Sequence, residues 1–145
     1  MGVSHPSPID PDLWTFPYQV ACRTMWAESR GEPEAGQQAV AHVLINRLSD
    51  GQWGKSLATV CLAKLQFSCW NASDEQRIRM VALADDDAAL LGMFAILKNA
   101  ERAAKDPTHG ATHYYSDSMI VPPKWAIGMT FLVKIGHHGF YQEKK

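Results

Sequence analysis

Glu28 sits where a carboxyl group is pushed toward acid–base work. It closes a stretch in which seven of the eight residues from Val20 to Ala27 are apolar or small, with Arg23 the exception. That composition is how a helix buried in the middle of a domain reads, and Ala21, Met25 and Glu28 then form an i, i+4, i+7 stripe on it. Glu28 should fall in the last turn, where the negative end of the helix dipole and apolar neighbours such as Trp26 both favour the protonated form. A carboxyl that keeps its proton near neutral pH is what general acid catalysis requires. Arg23, Arg30 and Arg47 would pull the other way if any lies close. The alternative reading of Glu28 is therefore a structural ion pair with one of them, or a cap on a neighbouring helix. Glu32, four positions on, could stand one turn away as a partner carboxylate. Gly31 and Pro33 break the helical geometry that this spacing assumes, so a boundary residue is the plainer reading of Glu32.

The elements that must hold these residues can be read from pattern. Four prolines, Pro6, Pro8, Pro11 and Pro17, mark 1–17 as an extended arm, and a single domain is expected over 18–145. Gly31 can end the first helix, with Pro33 and Glu34 suited to the first turn of the next. The second helix is expected over 33–48, with Ala35, Ala39, Val40, Val43, Leu44 and Leu48 on one face. A shorter helix is predicted over 56–65, followed by a loop or extended piece at Gln66–Trp70. Ser73 and then Asp85–Asp87 read as helix starts, the latter opening the longest helix, with Leu90, Met93, Phe94, Leu97, Ala100, Glu101 and Ala104 in phase. Beyond Pro107 the period falls toward two. Strands are predicted over 112–116 and 130–135, with a turn at Gly136–Gly139 before Phe140 and Tyr141. The fold class is α+β and mainly α, with a small β element near the C-terminus.

Composition excludes more than it selects. In 145 residues, 14 Lys and Arg balance 15 Asp and Glu to −1, which argues against coating nucleic acid or an anionic membrane. No apolar run reaches the roughly 18 residues a spanning helix needs, so membrane insertion is not expected. Cys22, Cys61 and Cys69 cannot all pair within the chain and read as reduced thiols. His109 and His113 are four apart, and His137 and His138 follow, so a zinc site is conceivable. Four-residue spacing aligns ligands on a helix, whereas Pro107 and Gly110 make this segment loop and strand. No metal or cofactor is expected.

The segment Trp26-Ala27-Glu28-Ser29-Arg30-Gly31-Glu32-Pro33, with Gly36-Gln37, Ala39-Val40-Ala41 and Asn46-Arg47, resembles the signature of the SleB-type cell-wall hydrolases, the family of the spore cortex-lytic enzymes. Gln66-Phe67-Ser68-Cys69-Trp70, Asp106-Pro107-Thr108, Gly110 to Tyr115, Pro122-Pro123 with Trp125-Ala126, and Ile135-Gly136 with His138 and Phe140-Tyr141 extend the likeness in the family's order. It implies a lysozyme-like fold and a lytic transglycosylase that cuts peptidoglycan glycan strands between N-acetylmuramic acid and N-acetylglucosamine. The family's essential glutamate maps onto Glu28. Glu28-Ser29 is also similar to the Glu-Ser pair of other transglycosylases, but their Gly-Leu-Met-Gln stretch is absent.

Such an enzyme uses one carboxyl group as acid and then base, and the product carries a 1,6-anhydro ring. Glu32, Gln66, Ser68, His113, Tyr114 and Tyr115 are the candidate substrate contacts, since aromatic faces and fixed polar groups suit sugar rings. At least one of Tyr114 and Tyr115 should instead pack the core, and Arg47 reads as a structural partner, with Glu32 as the candidate. The alternatives are a hydrolytic muramidase using water with Glu32 or Asp117, a zinc-dependent amidase or peptidase, and a non-catalytic wall-binding module. With no secretory signal visible at the N-terminus, a monomer made in the cytoplasm is expected, reaching the wall after release, as a phage or prophage endolysin would through a holin.

Overall fold

The computed structural model describes residues 14–63, 67–71 and 74–144. Helix α1 (Phe16–Ser29) is the axis of the molecule and packs against α2 (Glu34–Asp50), α3 (Leu57–Leu62), α4 (Glu75–Ala82) and α5 (Ala88–Arg102). The reason is compositional. Val20, Ala21, Cys22, Thr24 and Met25 are all buried, so α1 must be covered on several sides; α2 is likewise buried all round from Ala39 to Leu44, whereas α5 buries mainly one stripe. Val40 and Leu44 of α2, Leu57, Val60 and Cys61 of α3, Met80 of α4, and Leu90, Met93 and Leu97 of α5 close the main core around it.

Local chemistry sets the ends. Ser56 and Thr59 form a reciprocal capping box on α3, Asp74 accepts from Gln76 N–H at 2.8 Å on α4, and Asp87 accepts from Ala89 N–H at 2.9 Å on α5. Gly51, in the left-handed region at φ 87°, stops α2.

Several boundaries differ from the sequence expectation. Helix α1 starts at Phe16 with Pro17 in its first turn, where a missing N–H costs nothing, and not after Pro17; residues 1–13 of the expected arm lie outside the described residues. Arg30, not Gly31, is the C-cap of α1. The longest helix is α2 with 17 residues rather than α5 with 15, because α5 stops at Arg102 and leaves Ala104 beyond it. Ala35 is exposed rather than part of the buried face of α2. The third helix ends at Leu62, and the proposed cap Ser73 lies outside the described residues.

The C-terminal sheet has the order β1-β3-β2, from β1 (His113–Ser116), β2 (Met129–Ile135) and β3 (His138–Glu143), antiparallel throughout. The β2–β3 turn is the two-residue Gly136-His137, tighter than the four-residue turn expected, because Gly136 adopts φ 58°. Phe140, fully buried on β3, joins Ala39 and Val43 of α2 in a second small core that fixes the sheet to the helices.

Candidate active site

Glu28 occupies the last turn of α1, partly buried, and faces β1. The Tyr114 hydroxyl donates to Glu28 Oε1 at 2.7 Å. Burial drives the Glu28 carboxyl above its usual range and the Asp74 charge adds to this, while the Tyr114 bond and the Arg47 charge pull it down. Burial also raises Tyr114 well above the ordinary phenol value, so its hydroxyl stays a donor.

The three arginines divide. Arg23 donates to the carbonyls of Met80 and Leu83 and pairs with Asp85 at 2.8 Å. Arg30 lies over the Trp26 ring, 4.2 Å from its centroid, and donates to the Ala27 carbonyl and Gln76 Oε1, satisfying the C-terminal end of α1. Arg47, nearly buried, donates from Nε to the Thr112 carbonyl at 2.7 Å and stacks between Trp53 and Phe67 at 5.2 and 5.0 Å. Its carbonyl bond holds the entrance of β1, so it is a structural partner as expected, although of Thr112 and not of Glu32.

Strand alternation separates the two tyrosines. Tyr114 points inward to Glu28, while Tyr115 stacks on Tyr141 at 5.3 Å on the other face and accepts its hydroxyl proton at 3.1 Å. His113 lies on the face of Tyr115, between Trp53 and Trp125 at 5.7 and 5.0 Å, with Nδ1 3.0 Å from the Thr112 hydroxyl. Burial and the Arg47 charge bring His113 down to about 4, so it is neutral at physiological pH. Ser68 is exposed in the short 3-10 turn Ser68–Trp70, and Gln66 lies outside the described residues.

Glu32 is committed elsewhere. Its Oε1 accepts the His137 N–H and its Oε2 meets His137 Nδ1, both at 2.7 Å, and His138 Nδ1 lies 3.5 Å away. Asp117 is exposed and paired with Lys134 at 3.0 Å. His137 and His138 thus share the Glu32 carboxylate, while His113 lies among aromatic rings and His109 in an exposed turn at φ 58°. Among the described residues no three His, Cys, Asp or Glu side chains converge as a metal site. Cys22, Cys61 and Cys69 are unpaired and buried, and burial pushes Cys61 up to about 12.

Three further residues shape the site: Trp125 and Asp106 fall in segments of the resemblance but without an assigned role, and Trp53 in none. Trp53 and Trp125 flank His113, and Asp106 ties down the loop before β1 by accepting from Thr108 N–H, Gly110 N–H and Asn46 Nδ2 at 2.7–2.8 Å. The Asp-Pro-Thr sequence, with a side-chain acceptor two residues before a buried threonine, is the signal that identifies the Asp106 turn.

Fold and site together define a mainly helical, lysozyme-like α+β domain with a desolvated carboxyl group where its central helix meets its sheet. Residues 31–141 match the Cell Wall Hydrolase family, and the chain belongs to it, as a SleB-type protein. The match begins three residues after Glu28. Spore cortex-lytic enzymes of Halalkalibacterium halodurans and Bacillus subtilis are 28% and 26% identical over 122 residues, 84% of this chain. The chain spans 33% and 36% of the length of those two relatives. The catalytic domain of the Bacillus cereus SleB protein superposes with a TM-score of 0.69 at 24% identity, covering 95% of each chain. The catalytic domain of the germination-specific lytic transglycosylase SleB from Bacillus anthracis gives the same score and identity over 94% of this chain and 99% of that one.

Proposed function

We propose that the protein cleaves the MurNAc–GlcNAc β-1,4 bond of peptidoglycan as a lytic transglycosylase, with Glu28 as its general acid and base. The observation that carries this is the setting of Glu28, desolvated at the end of a buried helix with Tyr114 as a fixed donor to one carboxyl oxygen. Glu28 protonates the glycosidic oxygen as the C1–O bond breaks. The resulting carboxylate takes the proton of the C6 hydroxyl of the same muramic acid, whose oxygen bonds to C1 and closes the anhydro ring. The carboxyl group ends protonated as it began, and no water is consumed. One carboxyl group therefore suffices, unlike the paired carboxylates of most glycosidases. Family membership and the likeness to cortex-lytic enzymes support a peptidoglycan substrate. Tyr114, Ser68 and Gln66 are the proposed contacts at the acid, whereas the rings around His113 lie on the face of β1 opposite Glu28.

Digestion of purified peptidoglycan by the wild type and by Glu28→Gln, with mass analysis of the muropeptides, tests the reading. Anhydro-muropeptides from the wild type and none from the variant are expected. Reducing ends would instead indicate a hydrolase, and an active Glu28→Gln would remove Glu28 from the chemistry.

A further inference from the structure

Glu32 is held more tightly than a boundary residue or a substrate contact needs to be. Its carboxylate, 9% exposed, lies between two glycines. A Cβ at Gly36 of α2 would stand 3.0 Å from Glu32 Cβ, and one at Gly136 of the β2–β3 turn 2.6 Å from Glu32 Oε1. Gly136 also has φ 58°, so glycine there answers both a backbone and a space requirement. The seat built this way receives the His137 N–H on one oxygen and the His137 ring on the other. His138, the next residue, places its ring 4.9 Å from that of Tyr114, which donates to Glu28.

We propose that Glu32 is a positioning residue: by fixing the Gly136-His137 turn, from which His138 sets its ring against Tyr114, it holds the Tyr114 hydroxyl on Glu28. The chain of contacts runs from the loop after α1, across the hairpin, and back to the last turn of α1. Two residues four apart in sequence are thereby linked through the sheet. Glu32 does not transfer protons in this arrangement. This inference rests on Glu28 being the acid.

Reach and charge can be separated. Glu32→Gln keeps an oxygen at the His137 N–H and loses the charge, whereas Glu32→Asp keeps the charge and is one methylene too short. With Glu28, Tyr114, Arg47 and Asp74 as the groups that set the acidity of the site, release of Tyr114 raises the Glu28 carboxyl and moves the alkaline limb of kcat to higher pH. His137 is further faced by Asp117 and Lys134, which pair with each other on the surface.

The test is peptidoglycan digestion with kcat, KM and pH profile for Glu32→Gln, Glu32→Asp, Tyr114→Phe and Glu28→Gln. Glu32→Gln should retain a third or more of the wild-type kcat. Glu32→Asp should lose tenfold or more in kcat with KM within twofold, its alkaline limb moving up as in Tyr114→Phe. A reversed order, equal activity of the two Glu32 variants, or an unmoved limb in Glu32→Asp overturns the proposal. Activity in Glu28→Gln overturns the acid assignment instead, whatever the Glu32 variants do.

Discussion

The Tyr114 hydroxyl donates a 2.7 Å hydrogen bond to Oε1 of Glu28 across 86 residues of sequence, joining the end of the buried helix to the first strand of the sheet. The bond opposes the dominant effect of burial on Glu28 and leaves a carboxyl group that is raised, but not without limit.

Removing that bond should therefore be read in pH as well as in rate. Tyr114→Phe leaves Glu28 to burial and the Asp74 charge, opposed by the Arg47 charge alone, so the carboxyl rises further and the alkaline limb of activity moves up. Stability at neutral pH should fall by about 1–3 kcal/mol for the lost partner of a partly buried carboxyl group. A pH–rate profile and denaturant melts check both.

Glu28→Gln should abolish cleavage, by about 10²–10⁴-fold for the loss of a general acid, without a loss of stability. The folded-state pKa of Glu28 lies above the unfolded value of 4.5, so its contribution to stability is full below that pH and declines as pH rises through the raised value. The neutral amide escapes this decline. The melting temperature of the variant relative to the wild type should rise between pH 4 and pH 8, as scanning calorimetry would show.

Arg47→Lys should destabilise despite keeping the charge. The guanidinium bonds the Thr112 carbonyl through Nε while stacking between Trp53 and Phe67, a planar arrangement an ammonium cannot copy. A loss of about 2 kcal/mol is expected, seen as a melting temperature lower by about 5 °C. An unchanged melting temperature would remove Arg47 from its place as the anchor of β1.

Asp106→Asn tests the loop that enters β1. Four hydrogen bonds from Thr108 N–H, Thr108 Oγ1, Gly110 N–H and Asn46 Nδ2 hold the Asp106 carboxyl below its usual value of 3.8. A lowered carboxyl stabilises above its unfolded value and loses that contribution as pH falls through the folded value. The variant should be less stable at pH 7 by about 2 kcal/mol, and the gap should close below pH 3.8, as urea midpoints across pH would report.

The buried character of α1, the stripe of α5 with its aspartate start, and the β character of the C-terminal segment were legible in the chain, because periodicity and capping are local properties. So was Glu28 itself, since its apolar neighbours and its place in the last turn are set within one helix. Boundaries shifted at Phe16, where Pro17 fits the first turn of α1, and at Arg102, where α5 stops short of Ala104.

Tertiary structure alone decided who meets whom. Alternation required that Tyr114 and Tyr115 face opposite ways, yet only the β1–β3 register and the seat of Phe140 on α2 turn Tyr114 toward Glu28. Likewise, sequence offered Arg47 as a partner for Glu32, and the fold gave Arg47 to Thr112 and Glu32 to His137, over separations of 65 and 105 residues. Partner choice at such distances follows from how whole elements pack and from which polar groups burial leaves in need of a bond, and no local pattern encodes that.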